Sequence, residues 1–230
     1  MIEAKHLKKS YGKKVVLNDL SFTIHPGEVT CLIGVNGTGK TTIMNAIMKL
    51  ITLNSGEILI DHHPITFNDF NRISYVPDMI TLLHSLTIEE SLIYMETYYQ
   101  SFSWERAEAL LEFFHLNRED RIMELSKGNI AKVNILVNLS LDADYFIMDE
   151  PFSGIDIFTR EEIANIFTDD ILSDKGVLIS THEIKDIEFL VDKAILIDHG
   201  RIVKSFYPET VRQETGQSIE DVMREVYQHV

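Results

Sequence analysis

The sequence predicts an α/β fold: a mostly parallel sheet covered on both faces, with an N-terminal antiparallel β subdomain and an inserted helical subdomain. Three observations carry that reading. In the second half, the runs IAKVNILVNL, YFIMD, FTREEIANIFTDDIL, GVLIS and KAILID alternate helix-type and strand-type patterns. Strands this apolar need helices on both sides, which is the arrangement of a parallel sheet. Residues 1–32 instead carry closely spaced β-type runs, IEAKHL, KVVLNDLSFTI and VTCLI, broken by the turn residues Pro26-Gly27-Glu28. Between VTCLI and the helical pattern TTIMNAIMKLI lies a glycine-rich loop, GVNGTGK.

The remaining elements follow in order. Asn54-Ser55-Gly56 stops the first helix, and EILID and RISYVP read as strands, the second ended by Pro77. From about Thr87 to Leu125 the period becomes helical. Thr87 and Glu90 have the spacing of a capping box before SLIYMETYY. Ser103 precedes a helix with Ala107, Leu110, Leu111 and Phe114 on one face. After GVLIS the pattern predicts a helix and then the strand KAILID; from Pro208 on, the tail reads as helical. The expected division is one domain, with residues 1–78 and 126–205 as core and β subdomain, 79–125 as helical subdomain and 206–230 as a C-terminal helical tail.

Composition narrows the function classes. The 230 residues are 45% hydrophobic, which suits one domain with a sizeable core. With 36 acidic against 21 basic side chains, the formal charge of −15 repels phosphate backbones, so no nucleic-acid partner is expected. The single cysteine, Cys31, lies in the apolar run VTCLIG and reads as a small buried core residue. One cysteine forms no internal disulfide, which suits a reducing, cytoplasmic compartment. No run is long enough to span a bilayer, and the start lacks a secretory apolar segment, so any membrane attachment is expected through a partner.

The loop Gly34-Val35-Asn36-Gly37-Thr38-Gly39-Lys40-Thr41-Thr42 fits the phosphate-loop pattern G-x-x-x-x-G-K-[ST], and a strand before it with a helix after it is the context the pattern requires. Glycines let backbone N–H groups turn inward around an anion, and the helix N-terminus adds partial positive charge. Lys40 is placed to reach β- and γ-phosphates, and Thr41 to offer a hydroxyl to Mg²⁺. YFIMD ends in Asp149-Glu150. Asp149 at a strand tip suits Mg²⁺, and Glu150 suits a general base acting on water. Alone, such an acidic pair is usually solvated surface; the upstream phosphate loop gives it meaning. Ser180-Thr181-His182 ends a third strand, where His182 is positioned to hydrogen-bond a γ-phosphate. All three elements lie at strand carboxyl ends, where open α/β sheets gather ligands.

These residues resemble the nucleotide-binding domain of ATP-binding-cassette proteins over about residues 1–205. Tyr11 in KSYGKKVVL matches the family's adenine-stacking aromatic residue, Leu125–Asn129 (LSKGN) its signature, usually LSGGQ, and Ser153–Asp156 (SGID) the loop after its catalytic glutamate. The resemblance implies a head-to-tail pair of domains around two ATP molecules. Lys40, Thr41, Asp149, Glu150 and His182 would act on one ATP, with Ser126 and Gly128 reaching it from the opposite subunit and Asp156 near the dimer axis. It also implies ATP and Mg²⁺ as cofactors, a second ATPase subunit, and a separate membrane-spanning permease that holds the chain at the inner face of the membrane.

Two departures stand out. The signature carries Lys127 and Asn129, and YVPD ends in Asp78 where the family usually has glutamine. Asp78 would serve as a Mg²⁺-side ligand or cap the turn after Pro77 facing solvent. YVPD with LSKG looks most like the branch serving antibiotic, peptide or lipid exporters. The stretch Met79–Ile88 would line a groove for the membrane partner or fill the subdomain's own core. The rival functions are a soluble relative uncoupled from transport and an ATP-binding switch that does not hydrolyse.

Overall fold

The computed structural model describes residues 1–81, 85–168 and 171–228. Its strands, in chain order, are β1 (Ile2–Tyr11), β2 (Lys14–Ile24), β3 (Val29–Ile33), β4 (Ser55–Ile60), β5 (His63–Pro64), β6 (Ile73–Val76), β7 (Tyr145–Asp149), β8 (Gly176–Thr181), β9 (Lys193–Asp198) and β10 (Arg201–Phe206). They form two sheets. An antiparallel sheet runs β2-β1-β4-β5, and a six-stranded sheet runs β10-β9-β3-β8-β7-β6. In the second sheet every neighbouring pair is parallel except β10 against β9. Both sheet types agree with the sequence reading.

The parallel strands are buried on both faces because they are apolar at most positions. Side chains alternate between two cores: Cys31, Ile33, Phe146, Met148, Val177, Ile179, Ala194 and Leu196 enter one. Leu32, Tyr145, Ile147, Leu178, Ile195 and Ile197 enter the other, which the antiparallel sheet completes through Ile2, Leu17, Leu20 and Ile24. Each full burial of a large aliphatic side chain contributes about 1.5–3 kcal/mol. Cys31 is completely buried, and burial, with the nearby Glu150 carboxylate, pushes its thiol far above the ordinary range. It is a core residue.

The helices are α1 (Lys40–Ile47), α2 (Ile88–Tyr98), α3 (Trp104–Phe113), α4 (Lys127–Leu139), α5 (Ile157–Ile166), α6 (Pro208–Thr215) and α7 (Ile219–Gln228). The capping box forms: the Thr87 amide donates to Glu90 Oε2 at 2.8 Å, and the Glu90 amide to Thr87 Oγ1 at 3.1 Å. Ser103 caps α3 by accepting from the Arg106 amide.

The short strand β5 and a 3₁₀ turn at Phe67–Asn71 were not anticipated, and two larger differences follow. After β8 the expected helix is only a 3₁₀ turn, Glu188–Leu190. Ile184 and Ile187 before the turn and Leu190 within it are buried and recur every third position, which matches the three residues per turn of a 3₁₀ helix. The strand β10 was not anticipated, because RIVKSF mixes charge and apolar residues as an edge strand does. Within Met79–Ile88 the described side chains divide between core and surface. Ile80 and Ile88 pack into the core, while Met79 is exposed; Leu82, Leu83 and His84 lie outside the described residues.

Candidate active site

The order β3-β8-β7 brings together the residues that follow those strands. Gly34 follows β3, Glu150 follows β7 and His182 follows β8. Gly34 is fixed by close approach: a Cβ there would lie 2.6 Å from the Ile197 carbonyl oxygen and 2.8 Å from Thr38 Oγ1. Gly39, with φ of +109°, makes the left-handed turn into α1. The returning strand of the first hairpin lies against it, with Leu17 Cδ2 2.8 Å from where a Cβ would stand. Val35, Asn36 and Gly37 are exposed at the loop tip, while Thr38, Gly39 and Lys40 are buried; Thr41 is exposed and Thr42 half-buried.

One polar chain joins the three loops. Lys40 Nζ donates to the Gly34 carbonyl at 2.7 Å and lies 3.2 Å from Glu150 Oε1. That oxygen accepts no well-directed hydrogen bond, so the contact is a charge–charge one. The other oxygen, Oε2, is 2.8 Å from His182 Nδ1. Lys40 is 5% exposed, so this ammonium is largely withdrawn from water and its pairing is strong.

Asp149 and Glu150 are held from β8. Ser180 Oγ donates to Asp149 Oδ1, and the Glu150 amide donates to Ser180 Oγ at 3.0 Å. Asp149 is 1% exposed and Ser180 is fully buried, so this hydroxyl fixes the acidic pair out of solvent. Glu150 itself has φ of +49°, a left-handed backbone that is unusual for a side chain of this size. Ser180 was named in the sequence only as part of a strand end; its role as a bridge between two neighbouring acids depends on the β7–β8 register, in which Asp149 pairs with Ser180.

Asp78 is exposed and follows Pro77, whose carbonyl accepts from Asn134 Nδ2 of α4 at 2.7 Å. Burial first, then the charges of Asp149 and Asp78, push the phenol of the neighbouring Tyr75 up. Tyr11 is exposed near the tip of the β1–β2 hairpin, where it pairs with Lys14, and the Lys9 ammonium lies 4.9 Å from its ring centroid.

The remaining site residues form a second group. Ser126 caps α4, accepting from the Asn129 amide at 3.2 Å. Asp156 caps α5 through the Phe158 and Thr159 amides at 3.1 and 3.0 Å, and accepts from Thr159 Oγ1 at 2.8 Å. Those hydrogen bonds, the Thr159 amide first, hold its carboxyl below the usual range. Gly128 abuts the same threonine. Among the described residues, no hydrogen bond or ion pair joins this group to Lys40, Glu150 or His182.

A strand–loop–helix phosphate site with an acidic pair and a histidine on adjacent strand ends defines a nucleotide-hydrolysing α/β protein. Residues 17–153 match the family model described as ABC transporter. The linearmycin resistance ATP-binding protein LnrL of Bacillus subtilis is 33% identical over 88% of this chain and 68% of its own. The lipopolysaccharide export system ATP-binding protein LptB of Haemophilus influenzae is 28% identical over 93% of each chain. A solved structure described as the ATP-binding subunit of an ABC transporter superposes with a TM-score of 0.87, at 27% identity over 99% of both chains. The chain belongs to the ABC transporter family, as an ATP-binding and ATP-hydrolysing subunit. Among the described residues no helix is long and apolar enough to cross a membrane itself.

Proposed function

We propose that this subunit drives export and hydrolyses ATP by direct attack of water, with Glu150 as general base. The observation that carries the chemistry is the continuous chain from the Gly34 carbonyl through Lys40 and Glu150 to His182. The amides of Val35, Asn36, Gly37, Thr38, Gly39 and Thr42 surround the phosphates, and Lys40 neutralises the β- and γ-oxygens. Tyr11 stacks on the adenine. Glu150 takes a proton from the water as its oxygen bonds to the γ-phosphorus. The bond from that phosphorus to the bridging oxygen breaks, releasing ADP and phosphate. His182, held against Glu150, donates to a γ-phosphate oxygen.

Thr41, Asp149 and Asp78 supply hard oxygen donors of the kind Mg²⁺ takes alongside substrate phosphates. The buried Asp149 carboxylate, held by Ser180 on one oxygen, fits such a ligand. When bound, the ion adds positive charge beside the phosphates.

Ser126 and Gly128 serve the ATP of the opposite subunit, and Asp156 holds α5 at the junction. The membrane partner seats on the helical subdomain, residues 79–125, placing this chain at the inner face of the membrane. Export is supported by the YVPD and LSKG motifs and by the likeness to an export-system subunit and a resistance subunit. Glu150→Gln tests the core of the reading: it deletes the base and keeps every binding group. With Mg·ATP and the native partner present, size-exclusion chromatography should find a stable dimer without turnover. A variant that stays monomeric, or that still hydrolyses ATP, refutes it.

A further inference from the structure

The C-terminal helix α7 is the part of the chain that the nucleotide site as described leaves unused. Its apolar positions Ile219, Val222, Met223, Val226 and Tyr227 fall at i, i+3, i+4, i+7 and i+8, one continuous stripe. Ile219 and Val222 are fully buried in the core that contains Ile33, Ile184, Ile187 and Leu196, and the other three pack against it. The stripe alone is ordinary packing. The polar contacts at the two ends of the helix are not.

At its far end Tyr227 Oη lies 3.1 Å from the Ile197 carbonyl oxygen and 3.3 Å from that of Ile33, so its single O–H is shared between the ends of β9 and β3. Ile33 immediately precedes the phosphate loop. The Ile197 carbonyl is the atom pressed against Gly34, at 2.6 Å from the place of its missing Cβ. Gly34 in turn presents its own carbonyl to Lys40 at 2.7 Å. The tyrosine hydroxyl is therefore one peptide away from the backbone that sets the ammonium. At its near end, the Ile219 amide donates to Glu188 Oε1 at 2.9 Å, and Arg212 reaches the same oxygen at 3.3 Å. Glu188 lies six residues after His182. The helix thus spans from the stretch behind the phosphate loop to the stretch behind the histidine loop.

We propose that α7 holds these two loops in register and that Tyr227 is a positioning residue for ATP binding, acting through the Ile33 and Ile197 carbonyls on Gly34 and Lys40. The inference rests on the phosphate-loop reading. β3 and β9 are parallel neighbours, and a donor shared by the Ile33 and Ile197 carbonyls fixes the spacing of the strand end that feeds the loop against the strand beside it. Burial, reinforced by the Asp198 charge, pushes the phenol up to about 12, so it remains a donor through the neutral range.

Tyr227→Phe tests it, because the ring and its packing stay while the donor goes. Loss of one neutral hydrogen bond that bears on the loop lowers affinity by about two- to tenfold. The expected result is a rise of that size in the ATP dissociation constant and in KM, with kcat changed less and the nucleotide-free melting temperature unchanged. Amide hydrogen exchange should quicken across residues 33–40 in the nucleotide-free protein. Unchanged ATP affinity overturns the proposal; so does a weaker affinity matched by an equal loss of nucleotide-free stability, since that marks plain packing. Should Tyr227→Phe fold poorly, Glu188→Ala, which removes the acceptor of the Ile219 amide, tests the other end of the same span by the same exchange measurement, and unchanged exchange at 33–40 overturns the proposal. Lys40→Ala separates the two levels. If it leaves ATP binding intact, the phosphate-loop reading fails; if it abolishes binding while Tyr227→Phe is silent, only this inference fails.

Discussion

Replacing Ser180 with alanine should cripple hydrolysis although the hydroxyl touches no reactant. Ser180 Oγ donates to Asp149 Oδ1 and accepts from the Glu150 amide at 3.0 Å, at a fully buried position. The first of these is a hydrogen bond to a charged group, worth about 1.5–3 kcal/mol. Its loss leaves a buried carboxylate oxygen short of a partner, whereas the Glu150 amide keeps the Ser180 carbonyl at 3.2 Å. The damage therefore falls mainly on Asp149, with a secondary loosening of Glu150. If that energy is spent on holding the acidic pair for catalysis, kcat should fall by about ten- to hundredfold. If it also stabilises the fold, about 2 kcal/mol lowers the melting temperature of a chain this size by about 4–8 °C. Steady-state ATPase assays and thermal melts, with and without nucleotide, measure both. Ser180→Thr keeps the hydroxyl and should retain more activity than alanine. A Ser180→Ala enzyme with wild-type kcat refutes the view that this hydroxyl sets the pair.

Two further outcomes follow from the same geometry. Lys40→Ala removes the cation held between the Gly34 carbonyl and Glu150, so ATP affinity measured by calorimetry should drop by about one to two orders of magnitude, and turnover should cease. Asp78→Asn keeps the shape of an exposed side chain and deletes its charge, so half-maximal ATPase activity should need more Mg²⁺, while the maximal rate falls far less than in Glu150→Gln; a titration that overlays the wild type leaves Asp78 as a turn residue.

The fold was legible wherever residue type alone decides the backbone. VTCLI, YFIMD and KAILID are apolar at nearly every position and become central strands; Thr87 with Glu90, and Ser103, cap helices because their side chains satisfy local amides. The turn from β3 into α1 was legible for the same reason, its glycines being demanded by close approach at Gly34 and a left-handed turn at Gly39. What escaped depended on contacts distant in sequence. β10 exists because β9 offers an edge, and RIVKSF alone gives a weak strand signal. The segment after His182 has the apolar content of a helix but the three-residue spacing of a tighter turn. The capping of α5 by Asp156 also escaped, a use visible in the spacing of Asp156 and Thr159 only once the helix start is known. Tyr227 reaches across 194 positions to Ile33, and no local pattern announces such a contact.

The backbone of Glu150 ties these observations to one another. A left-handed φ of +49° on a glutamate costs about 1–3 kcal/mol, and the chain would relax it if nothing opposed relaxation. Opposition comes from every side. The Glu150 amide is held by the Ser180 carbonyl and hydroxyl, and its own carbonyl accepts from the Ser153 amide at 3.0 Å. Its carboxylate lies between Lys40 and His182. Those partners come from α1, from β8 and from the loops that follow β7 and β8, so the strained conformation persists only while all of these elements keep their relative positions. A displacement of the Gly34–Thr42 loop that withdraws Lys40 removes one of the restraints on the residue proposed as the base. The same geometry that aims the carboxylate therefore makes its aim depend on the state of the nucleotide site.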